Sequence, residues 1–204
     1  YIYTYAEVAA RTGLPVVRPL VLEYQDDPSV HRLDTQYLLG EDVLVAPVFT
    51  ESGTRSVYLP EGEWRDYWTD ERHAGGQRVD VDVGLDEMPI FVRAGSVVPQ
   101  REPTQSVQPG TPDHLELDVT MAEGEASGRF YDADADELLS IAVAEADGTL
   151  SVDLGATSAE RVTLTVRGAE PETVEVDGES LTAVDSDPDA GEWTPTETGL
   201  SVVV

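Results

Sequence analysis

The chain has 204 residues, 40% hydrophobic and 26% charged, enough for one large or two small domains with cores of their own and too apolar for a disordered acidic tail. The 41 Asp and Glu residues outnumber 12 basic residues to give a formal net charge of −29, and every basic residue is Arg because the sequence contains no Lys. That sign argues against a nucleic-acid partner, since phosphate contacts need a basic patch, and the absence of Cys removes disulfides, thiolate nucleophiles and thiolate metal sites.

A charge of −29 on a compact body is destabilising by self-repulsion in dilute buffer. At about 1 M salt the Debye length falls to roughly 3 Å and neighbouring carboxylates hardly interact. Arg in place of Lys keeps the cation that forks onto a carboxylate. The composition therefore reads as adaptation to a salt-rich cytoplasm, with a merely acidic mesophilic protein as the alternative. The three histidines, His31, His73 and His114, are far apart in sequence, so no His-rich metal centre is expected. No apolar run approaches the roughly 18 residues of a membrane span. The chain opens at Tyr1, without Met and inside what reads as a helix, so it is expected to be a piece of something longer, and secretion stays open.

In residues 1–11 the positions Ile2, Tyr5, Ala6 and Ala9 share a helical stripe, with Gly13 and Pro15 as the stop. Residues 16–22 (VVRPLVL) predict a strand. A turn at Asp26, Asp27 and Pro28 leads to a short helix predicted over 31–39, which Gly40 would cap in the left-handed region. These α/β pieces cannot make a domain alone and read as the last turn of a barrel.

From Asp42 onward the period becomes two. Six short runs, 43–48, 55–60, 64–68, 78–83, 89–93 and 96–99, are separated by clusters of Gly, Glu and Asp, the pattern of an antiparallel sandwich. In 64–68 (WRDYW) the alternation puts Trp64 and Trp68 on one face, so at least one indole is expected in the core. The polar, proline-rich stretch 99–112 reads as a domain boundary. Beyond it, LELDVT, SGRFYD, LLSIAVAEA, TLSVDL, RVTLTVR, TVEVDG and the terminal LSVVV alternate again and predict a second all-β module.

The stretch 13–28 (GLPVVRPLVLEYQDDP) followed by 34–48 (DTQYLLGEDVLVAPV) resembles the segment that closes the catalytic (β/α)8 barrel in glycoside hydrolase family 31, the α-glucosidase and α-xylosidase family. The resemblance continues in the family's order through 56–70 (SVYLPEGEWRDYWTD), the pair Gly75 and Gly76, and 88–99 (MPIFVRAGSVVP). After Pro103 it loosens: SGRFYDADADELLSI is similar to the family's acidic distal hairpin but lacks the glycine expected after the carboxylates. The implied fold is mainly β, the end of a (β/α)8 barrel (1–41) followed by proximal (42–102) and distal (103–204) antiparallel β-sandwich domains. The resemblance implies a retaining α-glycosidase whose carbohydrate substrate is held by a barrel that lies upstream of Tyr1. Two carboxyls about 5 to 5.5 Å apart, one ionised and one protonated, perform that chemistry. In family terms both lie upstream of Tyr1, so no residue of this chain is expected to be catalytic, cofactor-binding or metal-binding, and no cofactor is implied.

Several residues invite another assignment. Asp132, Asp134 and Asp136 occupy positions one, three and five of a calcium loop, but Glu137 and Val143 stand where Gly and a bidentate Glu are needed; Asp185, Asp187 and Asp189 fail likewise at Ala190 and Thr196. Asp26 and Asp27 could be imagined as an acid/base pair, yet neighbours before a proline in a turn normally face water. Arg18, inside an apolar strand, needs a carboxylate partner and is expected in a structural salt bridge of the barrel wall rather than against substrate. The alternative function is a stand-alone carbohydrate-binding module, which would need exposed coplanar aromatics; the distal half offers Phe130, Tyr131 and Trp193. The charge balance makes its own prediction: thermal melts in graded KCl should rise from dilute buffer into the molar range, and a flat or falling melting temperature would sink the salt-adapted reading.

Overall fold

The computed structural model describes residues 1–106 and 109–204; residues 107 and 108, inside the proline-rich stretch 99–112, lie outside the described residues. The chain divides into two compact units, one made of residues 2 and 4–94 and the other of residues 1, 3 and 95–204.

The first unit opens with helix α1 (Ile2–Thr12), which buries Tyr5 and Val8 on one stripe. Gly13 ends it in the left-handed region, its N–H bonded to the Ala9 carbonyl at 2.8 Å. Then follow β1 (Val17–Pro19), α2 (Leu20–Glu23), a 3-10 turn (Pro28–Val30), β2 (Tyr37–Leu39), β3 (Val43–Val45), β4 (Thr54–Leu59), β5 (Glu63–Asp66), β6 (Arg72–Ala74), β7 (Gln77–Asp82) and β8 (Ile90–Arg93). Six of these strands form one sheet in the order β1-β2-β3-β8-β5-β6, and β4 with β7 forms a separate antiparallel ribbon. Leu20, Leu38, Leu44, Leu59, Trp64 and Phe91 anchor the core.

Two sequence expectations fail here. The strand predicted over 16–22 stops at Pro19, which has no N–H for a ladder and stands, still extended at φ −63° and ψ 143°, as the residue before α2. The helix predicted over 31–39 does not form: residues 31–36 are turn and irregular chain after the 3-10 turn, and 37–39 are β2, which pairs antiparallel with both β1 and β3. Gly40, at φ +65°, turns the chain between strands instead of capping a helix. A three-residue apolar run has no decisive period of its own, so its neighbours in space set its state.

The two tryptophans also part company. β5 ends at Asp66, whose carboxylate accepts the N–H groups of Trp68 at 2.8 Å and Thr69 at 3.1 Å, so the alternation stops before it reaches Trp68. Trp64 is fully buried and donates its indole N–H to the Pro60 carbonyl at 2.9 Å, whereas Trp68 is 51% exposed.

The second unit contains β9 (Ser96–Gln100), β10 (His114–Thr120), β11 (Glu125–Asp132), β12 (Glu137–Ala146), β13 (Thr149–Asp153), β14 (Arg161–Arg167), β15 (Thr173–Val176), β16 (Glu179–Ser180), β17 (Thr182–Ala183), β18 (Glu192–Pro195) and β19 (Gly199–Val203). All are linked in one hydrogen-bonded order, β16-β15-β13-β12-β11-β9-β10-β14-β19-β18-β17. One buried cluster draws on Leu150 and Val174 near one end of that order and on Trp193 and Val202 near the other, so the sheet folds over on itself like a sandwich. The pairing is mixed rather than purely antiparallel: β10 with β14, β9 with β11, β13 with β15 and β17 with β18 run parallel. Strand β9, read from the sequence with the first β module, belongs to this sheet. Gly128 explains how β11 reaches it, because a Cβ there would stand 2.4 Å from the Val97 carbonyl oxygen.

Asp132 closes the loops at one end of this unit. It is wholly buried and accepts four hydrogen bonds: from the Thr111 hydroxyl at 2.6 Å, the Ala135 N–H at 3.1 Å, the Thr157 hydroxyl at 3.1 Å and the Ser158 N–H. Burial by itself would raise its pKa, but these donors outweigh burial and hold the carboxyl far below its ordinary value of 3.8. Burial and the donor set generate two predictions. Trp64→Ala should cost about 3 to 5 kcal/mol in chemical denaturation, while Trp68→Ala leaves the curve nearly unmoved. Because the folded pKa of Asp132 lies below the unfolded one, its contribution is complete above about pH 4 and fades as the pH drops towards the folded value. Asp132→Asn should therefore lose about 2 to 3 kcal/mol at neutral pH and flatten the acid limb of stability against pH, measured by urea unfolding at stepped pH.

Candidate functional site

Arg18 is a buried charge in the first unit, 1% exposed. Its Nη1 lies 2.7 Å from Glu23 on α2 and 3.4 Å from Glu41 in the turn between β2 and β3. Its Nε donates to the Pro15 carbonyl at 3.0 Å, and the guanidinium carbon sits 5.5 Å from the centre of the Tyr5 ring. Burial alone would lower its pKa; the two glutamates more than reverse that and raise it. The cation is therefore permanent and structural, as its position in an apolar strand suggests, with partners supplied by the helical turn and the β2–β3 turn of its own unit.

Asp26 and Asp27 do not form a couple. Asp26 is exposed, whereas Asp27 caps the 3-10 turn through the Ser29 N–H at 2.8 Å and accepts the Tyr58 hydroxyl at 2.6 Å. That phenol bond is the main reason the Asp27 carboxyl is lowered, and the same bond raises Tyr58. Sequence reasoning missed Arg65, also 1% exposed, which pairs with Asp70 at 2.6 Å. The signal was present: like Arg18, it is an arginine within a strand with a carboxylate five residues on. It also missed the partly buried pair of Asp118 with Arg167, whose members lie on the parallel neighbours β10 and β14 and share no sequence proximity.

The acidic loops behave as loops. Both oxygens of Asp132 face N–H and O–H donors, Asp136 accepts the Tyr131 hydroxyl at 2.8 Å, and Asp185, Asp187 and Asp189 are exposed. Phe130 and Trp193 are buried, which removes both from any sugar-stacking surface. Among the described residues, Glu102, His114 and Glu116 bring one ligand atom each to within 4.8 Å of one another, a grouping concealed in the sequence because Glu102 arrives from the neighbouring chain segment.

Comparison with known proteins places this geometry in a family. The profile described as the glycosyl hydrolase family 31 C-terminal domain matches residues 13–98. Curated relatives include an isomaltosyltransferase of Sporosarcina globispora, 38% identical over 54% of this chain and 10% of its own length. An α-glucosidase 2 of Bacillus thermoamyloliquefaciens is 39% identical over 66% of this chain and 17% of its own, and an α-xylosidase of Saccharolobus solfataricus is 44% identical over 48% and 14%. The chain thus spans between 10% and 17% of these relatives. A family 31 dextranase of Flavobacterium johnsoniae, solved with glucose, superposes on all of this chain and 29% of that one, with a TM-score of 0.85 and 29% identity. Residues 13–98 are a glycosyl hydrolase family 31 C-terminal domain, and the chain belongs to the C-terminal region of glycoside hydrolase family 31.

Proposed function

We propose that this chain is the supporting C-terminal part of a retaining α-glycosidase that acts on terminal α-linked glucosyl or xylosyl residues. In this reading residues 1–41 end the catalytic barrel, 42–102 form the proximal β domain and 103–204 the distal one, and the carboxylates that attack and protonate the glycosidic bond lie upstream of Tyr1. The observation that carries the reading is the match of residues 13–98 to the family's C-terminal domain in relatives named α-glucosidase and α-xylosidase.

The inward-facing acids are consistent with a supporting role. Asp27, Asp118 and Asp132 each hold hydrogen bonds or an ion pair within the fold. A retaining mechanism needs one carboxylate free to attack the anomeric carbon and one carboxylic acid free to protonate the leaving oxygen. Without both, nothing meets the developing oxocarbenium charge.

The purified chain should give no turnover of p-nitrophenyl α-glucoside or α-xyloside, while a protein that joins it to an upstream family 31 barrel should cleave at least one of them with retention, followed by NMR of the released anomer. Turnover by the chain alone, abolished by substituting one of its own Asp or Glu residues, would overturn the assignment.

A further inference from the structure

We infer that Glu102, His114 and Glu116 form a divalent-metal site that clips the end of β9 to the start of β10. The register of the second unit builds it. β9 and β10 pair antiparallel with Gln100 opposite Glu116, so continuing that register by two residues sets Glu102 opposite His114. His114 and Glu116 are two apart on β10 with buried Leu115 between them, hence they share the half-exposed face. Three potential ligands, two on β10 and one just past the end of β9, thus converge, with their ligand atoms within 4.8 Å of one another.

The imidazole is oriented for the role. Its Nε2 lies 2.8 Å from the hydroxyl of Thr163 on β14, the residue paired with Glu116 from the other side. With the proton on Nε2 donated to that hydroxyl, the Nδ1 lone pair faces Glu102. A ring nitrogen held from behind by a hydrogen bond is the usual arrangement of a metal-ligating histidine.

The spacing leaves room for an ion between the ligand atoms. Nδ1 and the Glu102 carboxylate stand 3.6 Å apart, too far for a hydrogen bond. Ligands at about 2.0 to 2.2 Å from a common tetrahedral ion lie about 3.3 to 3.6 Å from each other. One imidazole with two carboxylates suits Zn2+ and its first-row neighbours, whereas Ca2+ and Mg2+ prefer all-oxygen shells. Two glutamates neutralise the ion, and a fourth position is left to water. The surrounding excess of acid, a net charge of −29, raises the local concentration of cations of every kind, so the test must separate a built site from diffuse attraction.

Zn2+ titrated into the whole chain in molar KCl, followed by calorimetry, should bind one ion per chain and raise the melting temperature. His114→Ala and the double variant Glu102→Gln with Glu116→Gln should each weaken binding at least about tenfold, as loss of even an outer-shell partner does. These side chains are partly or fully exposed, and circular dichroism checks that the variants fold. Independently of any variant, nitrogen NMR of the unsubstituted chain should shift His114 Nδ1 on addition of Zn2+ and leave His31 and His73 unmoved. Heat that is equal for Ca2+ and Zn2+ and indifferent to His114→Ala would overturn the site, as would a titration that moves none of the three histidines or moves all alike.

Discussion

A guanidinium removed from water has to be met by carboxylates, and the first unit is arranged around one such requirement. Arg18 is buried with its charge intact, and Glu23 and Glu41 reach it from two different turns. Removing both glutamates would leave an uncompensated interior charge, which costs more than an intact pair contributes. The local chain path meets the demand: β1 ends at Pro19, the turn of α2 brings Glu23 back, and β2 returns antiparallel so that the following turn presents Glu41. Arg65 with Asp70 repeats the solution on β5.

The second unit solves the converse problem. Asp132 is a buried anion with hydrogen-bond donors as its direct partners, two hydroxyls and two backbone N–H groups from three segments. Such donors favour the charged carboxylate strongly enough to overcome burial. The same bonds fix the loop after β11 and the segments around Thr111 and Thr157. A motif that resembles a calcium loop in sequence is therefore a knot of the protein's own donors.

These arrangements bear on function by what they leave over. In a family 31 chain with 41 acidic residues, abundance of carboxylate says nothing about catalysis. The acids drawn inward hold turns and strands together, and the others face solvent, where they shape charge rather than chemistry. Among the described residues, the grouping of Glu102, His114 and Glu116 departs from this division by mixing imidazole with carboxylate, and it lies just after the family 31 C-terminal match at 13–98.

The sequence by itself determined the mainly β character, through period-two alternation that local sterics enforce, and it marked the chain's turns through Gly and Pro, whose backbone limits act without reference to neighbours. Ordered motifs from Gly13 to Pro99 were enough to reveal the family, and an arginine in an apolar strand announced a salt bridge. Tertiary structure alone decided what short apolar runs became: residues 37–39 are a strand because β1 and β3 flank them, and β9 joins the second sheet by pairing with β10, while Gly128 lets β11 approach its other side. It alone decided the parallel pairings, the separate fates of Trp64 and Trp68, and the meeting of Glu102 with His114 and Glu116. Each depends on contacts between residues distant in the chain, and periodicity, which reports only on a residue's near neighbours, carries no trace of them.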